Sequence, residues 1–97
     1  MPRYVGLAKW TDQGVKNVKG AATRWEQGRA AIEQAGGRII GAWWTQGQYD
    51  GVVVMEWPDD ESASAATLTY ALGGNVRTET LRAFTTEEFQ RILKRLP

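Results

Sequence analysis

The sequence predicts an α+β fold: a four-stranded antiparallel sheet built in the order β-α-β-β-α-β, with an additional C-terminal helix. Three observations carry this reading. Residues Arg38–Pro58, RIIGAWWTQGQYDGVVVMEWP, form two adjoining runs of β-branched and aromatic residues around Gln46-Gly47-Gln48, which suits a pair of largely buried strands. Residues 3–10 and 75–84 alternate with the period of two that a strand requires. The stretches between these strands carry apolar or small residues at helical spacing, and each stops at a glycine pair, Gly36-Gly37 or Gly73-Gly74.

Along the chain, Arg3–Trp10 places Val5, Leu7 and Lys9 on one face and Tyr4, Gly6, Ala8 and Trp10 on the other. Thr11-Asp12-Gln13-Gly14 reads as a turn in which Thr11 or Asp12 caps a helix. From Val15, apolar residues recur at Val18, Ala22, Trp25, Ile32 and Ala35, one face of an amphipathic helix. Gly20 predicts a break in that helix, and Gly28 a close helix–sheet contact. The central strands are expected at about Arg38–Thr45 and Tyr49–Trp57, with Gly47 supplying the permissive backbone of the connection. Pro58-Asp59-Asp60-Glu61 opens an alanine-rich helix, with negative charge where the helix dipole favours it. Asn75–Phe84 is the fourth strand. Thr85 and Glu88 then have capping-box spacing ahead of a short helix with Phe89, Ile92, Leu93 and Leu96 on one stripe.

This order is the ferredoxin-like pattern, with both crossover helices on one face of the sheet. Gly6, Ala8, Ala42, Gly51, Val53 and Thr78 are small or β-branched and suit the side under the helices. The opposite parity collects Val5, Leu7, Lys9, Ile39, Trp43, Thr45, Asp50, Val52, Val54, Glu56, Arg77, Glu79 and Leu81. That set is too apolar for solvent and too charged for a dry core, so two sheets are expected to meet face to face around an enclosed space.

Length and composition bound the possible functions. Ninety-seven residues, 42% hydrophobic and 24% charged, make residues 1–97 a single globular domain. A formal net charge of +1 gives no electrostatic reason to expect nucleic acid or an anionic membrane as partner. The chain has no cysteine and no histidine, which excludes disulfides, thiolate metal sites, a Ser-His-acid triad and the usual haem ligands. No cofactor and no metal are expected. No apolar run reaches the roughly 18 residues that span a bilayer, and MPRYVGLAKW lacks the features of a signal peptide, so a cytoplasmic location is the expectation.

Lys9-Trp10-Thr11-Asp12-Gln13-Gly14, Gly47-Gln48-Tyr49-Asp50 and Asn75-Val76-Arg77-Thr78-Glu79-Thr80-Leu81-Arg82-Ala83-Phe84 resemble the GYD-domain family across nearly the whole chain. The glycine of that family's Gly-Tyr-Asp is Gln48 here, while Tyr49 and Asp50 stand in place. The resemblance implies a dimeric α+β barrel and leaves the activity open, because the wider superfamily holds monooxygenases, isomerases, haem proteins and binding modules.

The charged residues of the enclosed face are the candidates for chemistry. Asp50 or Glu79 could serve as a general acid or base, with Arg77 and Lys9 clamping an anionic substrate or enolate. Trp43 and Tyr49 would be aromatic walls, although the parity of Tyr49 points it under the helices. The competing reading makes Lys9, Asp50, Arg77 and Glu79 cross-strand or cross-dimer ion pairs, with Asp50, Glu56 and Glu79 likewise paired rather than holding a cation. Two functions follow. The main expectation is a non-catalytic homo-oligomer, a small-ligand-binding or assembly module with a cavity between paired sheets. The alternative is a cofactor-independent isomerase or monooxygenase acting through Asp50 or Glu79.

Overall fold

A computed structural model describes residues 1–97. Strand β1 (Arg3–Trp10) leads into a five-residue helix α1 (Asp12–Lys16), a 3-10 turn (Val18–Gly20) and helix α2 (Ala21–Gln34). Strands β2 (Arg38–Trp44) and β3 (Gly51–Glu56), helix α3 (Asp60–Leu72), strand β4 (Val76–Ala83) and helix α4 (Thr86–Leu93) complete the chain. The sheet is antiparallel throughout in the order β2-β3-β1-β4, which places the two sequence-distant strands β1 and β3 at the centre. This is the expected α+β, ferredoxin-like arrangement with its extra terminal helix.

Local chemistry explains where the elements start and stop. Thr11, one of the two caps expected, caps α1 by accepting from the Gly14 amide, so helical structure begins at Asp12. The break expected at Gly20 is present as the 3-10 turn between α1 and α2. Asp59 caps α3 through the Ser62 amide, and Thr85 and Glu88 form a reciprocal capping box on α4. Each cap stabilises an anionic carboxylate: hydrogen bonds from backbone N–H groups hold both Asp59 and Glu88 below their ordinary pKa values.

Three details differ from the sequence expectation. Strands β2 and β3 are shorter than expected, leaving Thr45–Asp50 as the connection, closed by the Thr45 amide on the Asp50 carbonyl at 2.9 Å. Gly47 takes φ +118° there, as its permissive backbone was expected to allow, and no residue other than glycine has positive φ, so Gln48 sits unstrained. A bulge between Ile39 and Gly41 rotates the start of β2. Ile39 therefore pairs with Met55 and packs under the helices instead of lying on the open face. Gly28 meets a helix rather than the sheet: a Cβ there would fall 2.7 Å from the Tyr70 hydroxyl on α3.

The compact core is small. Tyr4, Ile32, Met55, Trp57 and Ala63 form its buried cluster, with Trp25, Ile39, Val53 and Ala66 packed against it. Trp57 is its anchor at 1% exposure, and Gly37 leaves room for its ring. The other face of the sheet is uncovered, as the parity of the strands implied. Trp43 lies on that face, 60% exposed, with its ring folded over Gly41 two residues earlier. Helix α4 buries none of its apolar stripe; Phe89 is 51% and Leu93 46% exposed.

Candidate functional site

The side of the sheet under the helices is floored by residues with little or no side chain: Gly6, Ala8, Ala42 and Gly51. Gly28 and Ala31 on α2 and Ala35 at its C-cap continue the pattern, and on α3 so do Ala65 and Ala66. Side chains of this size cannot fill a gap of about 10 Å between packed layers. The outcome is a cavity of about 690 Å³ between the sheet and helices α2 and α3, a volume typical of small-molecule sites. Ala31, Ala65 and Thr78 border it yet remain exposed, so it opens to solvent.

Aromatic groups give the cavity its walls. Trp10 and Trp44 stack with ring centroids 5.9 Å apart and planes 21° from parallel. Trp25 and Tyr70 lie across from each other, on α2 and α3, at 6.5 Å. Polar groups interrupt the apolar lining, among them Gln27, Asp50, Thr67 and Asn75, and two of them, Arg24 and Tyr70, face each other from α2 and α3. Burial pushes the Tyr70 phenol above its ordinary pKa, while the nearby Arg24 charge pulls it down. Arg24 donates through one guanidinium nitrogen to the Asn17 carbonyl at 2.9 Å; its other, Nη2, is buried without a partner. Trp57 Nε1 is likewise buried and unpartnered.

The residues singled out from the sequence gather at one end of the sheet. Lys9 and Arg77 stand directly opposite on β1 and β4, and Glu79 is two residues further along β4. Tyr49 joins them on the open face rather than pointing under the helices. Its hydroxyl donates to Glu79 at 2.5 Å, and Lys9 Nζ lies 5.4 Å from its ring centroid. The connection Thr45–Asp50 is irregular, so strand parity does not govern Tyr49. Hydrogen bonding to the Glu79 carboxylate is the leading cause of the raised Tyr49 pKa.

Asp50 has a different setting. Its carboxylate accepts from the Trp10 amide at 2.9 Å and its own amide donates to the Ala8 carbonyl at 2.8 Å, so it extends the β1–β3 pairing and borders the cavity. The chain's ion pairs are Arg3–Glu56, Arg38–Glu56 and Arg29–Glu33. Glu56 is therefore engaged, whereas Lys9, Asp50, Arg77 and Glu79 form no ion pair within one chain. Asp50, Glu56 and Glu79 do not converge into a group able to hold a metal ion. No helix is long and apolar enough to cross a membrane.

Arg24 and Tyr70 were not legible as site residues from sequence. The available signal was the line Arg24, Gly28, Ala31 and Ala35, spaced to share one face of α2, in which an arginine heads a row of small residues.

The three motif segments meet at this same end. Thr11 donates to the Gly74 carbonyl at 2.6 Å, Gln13 reaches the Gly73 carbonyl and the Asn75 side chain, and Gly14 lies against the Asn75 backbone. Asp50 and Tyr49 join the hairpin to β1 and β4. These segments match a known family: the GYD domain covers residues 4–93, and the chain belongs to that family. No curated protein shows significant similarity to it.

Proposed function

We propose that this GYD-domain protein is a small-ligand-binding module that holds a largely apolar molecule between its sheet and helices α2 and α3. The single observation that carries the reading is the cavity of about 690 Å³, floored by glycine and alanine and walled by tryptophan. A fold of this size stabilises itself by filling its core, and here the core gives way to open, aromatic-lined space. Native mass spectrometry of protein purified from its own host, followed by gentle denaturation, tests it. A released small molecule is expected; an empty protein, together with no binding of any apolar probe by calorimetry, overturns the reading.

The same module assembles as a homodimer through its open sheet face, giving a dimeric α+β barrel. Support comes from the apolar character of that face, where Val5, Leu7, Val52, Val54, Leu81 and Trp43 share one side. Light scattering across a concentration series tests the assembly, and a monomer at every concentration counts against it.

The enzyme alternative rests on a different observation, the contact of Lys9, Tyr49 and Glu79 beside Arg77 on that face. In that reading Glu79 exchanges a proton with the substrate while Lys9 and Arg77 hold its anionic form. Asp50 is the other candidate; its carboxylate accepts from the Trp10 amide at the end of β1. Glu79→Gln should abolish any turnover of an enolisable aromatic substrate and leave cavity binding intact.

A further inference from the structure

We infer that the cavity selects an amphipathic monocarboxylate, its anionic head held by Arg24 and the Tyr70 hydroxyl and its apolar body lying over the Gly6, Ala8, Ala42 and Gly51 floor. This rests on the proposed ligand-binding function and specifies its ligand class.

The argument starts from an uncompensated charge. Arg24 carries a guanidinium cation. It makes no ion pair with any acidic residue of the chain. One guanidinium nitrogen is tied to the Asn17 carbonyl at 2.9 Å, which fixes the group, while Nη2 is buried with nothing to donate to. A buried donor on a charged group is costly to leave unpaired; Nη2 is covered by protein as it stands, but it belongs to a residue that lines an apolar, solvent-open cavity, and a turn of the guanidinium toward that cavity brings it to a ligand oxygen.

Tyr70 supplies a second donor from the facing helix. It lines the same cavity, and its hydroxyl is seated against Gly28, one turn beyond Arg24 on α2. Any side chain at position 28 would displace it. Arg24 is the charged group close enough to act on the Tyr70 phenol. Two donors from two helices, one cationic, match the two oxygens of a carboxylate. A phosphate dianion asks for more donors and more positive charge than this end of the cavity offers. A neutral ligand leaves Nη2 unpaired, and a cation is repelled.

The test uses the full chain and matched probes: octanoate and octanol, and 2-naphthoate and 2-naphthalenemethanol, titrated by isothermal calorimetry at neutral pH. At least one carboxylate should bind about tenfold or more tightly than its alcohol, the factor expected of a charge-assisted hydrogen bond. Arg24→Gln should bring the carboxylate down to the alcohol's affinity and leave the alcohol unchanged. Tyr70→Phe should weaken the carboxylate several-fold with the alcohol again unchanged. Should Arg24→Gln fail to fold, Arg24→Lys keeps the charge but loses the fork, and should retain a reduced preference. Equal binding of acid and alcohol by the wild type overturns the Arg24 assignment and leaves the binding module standing. Binding of neither overturns both.

Discussion

The Tyr49 hydroxyl donates to the Glu79 carboxylate at 2.5 Å, spanning from the β2–β3 connection to the edge strand β4 across the open face of β1. Lys9 on β1 lies between them, its ammonium 5.4 Å from the Tyr49 ring centroid. One phenol thus links three strands at the end of the sheet where the family's sequence motifs converge. It also sets apart the two faces of the molecule: charged chemistry collects on the open face, and apolar volume collects beneath the helices.

The tyrosines report this arrangement through their ionisation. All three are raised above the ordinary value of 10.0: Tyr4 first by burial and then by Asp60, Tyr49 first by its bond to Glu79, and Tyr70 by burial. A phenol whose folded pKa lies above its unfolded one binds more protons in the fold between the two values. Its stabilisation is complete below the unfolded pKa and is lost as pH rises through the folded pKa. Absorbance titration should therefore show no tyrosine ionising at its ordinary pKa while the fold persists, and stability should decline with pH above about 10. Glu79→Gln should bring one tyrosine back toward 10 without moving the other two. A wild type with three ordinary tyrosines would contradict the geometry.

Gly14 is predicted to be the least replaceable small residue of the chain. A Cβ at this position would stand 1.9 Å from the Asn75 carbonyl oxygen and 3.2 Å from the Trp10 ring. The carbonyl cannot retreat freely, because Asn75 O also accepts from the Thr11 amide at 3.1 Å and pins the α3–β4 turn to the end of β1. Gly14→Ala should cost about 3 kcal/mol in urea unfolding, the upper end for overpacking of a tight site. An effect within 0.5 kcal/mol, the ordinary range for exposed surface substitutions, would mean that the turn is free to shift.

Much of the fold was legible because hydrophobic period and turn chemistry agreed locally. Strand parity placed Val5, Leu7, Trp43, Val52 and Leu81 on one face, and the cross-strand register puts them there. Parity failed where its premise failed. Ile39 precedes a bulge, and Tyr49 lies in an irregular connection, so neither follows its strand. The cavity was not legible either. Gly6, Ala8, Ala42 and Gly51 were rightly assigned to the helix side, but small residues fit both a close-packed layer and an empty one. Only the standoff of α2 and α3 decides between them. Arg24 escaped notice for a related reason: an arginine on an amphipathic helix ordinarily faces solvent, and its buried, unpartnered Nη2 is a tertiary fact.

Adjacent tryptophans on β2 allow the proposed dimer to be tested with an internal control. Trp43 pairs with Val52 on the open face, whereas Trp44 pairs with Gly51 and stacks on Trp10 under the helices. Both are more than half exposed in the single chain, at 60% and 56%. Exposure alone therefore predicts equal effects of truncation, and the interface predicts unequal ones. A tryptophan at the centre of a protein–protein contact typically contributes about 2 kcal/mol or more, or roughly thirtyfold in dissociation constant. Trp43→Ala should weaken dimerisation by about that factor in sedimentation equilibrium, and Trp44→Ala should change it little. A larger effect from Trp44 would move the contact to the helix side of the edge strand. Equal effects would assign both rings to surface burial unrelated to assembly.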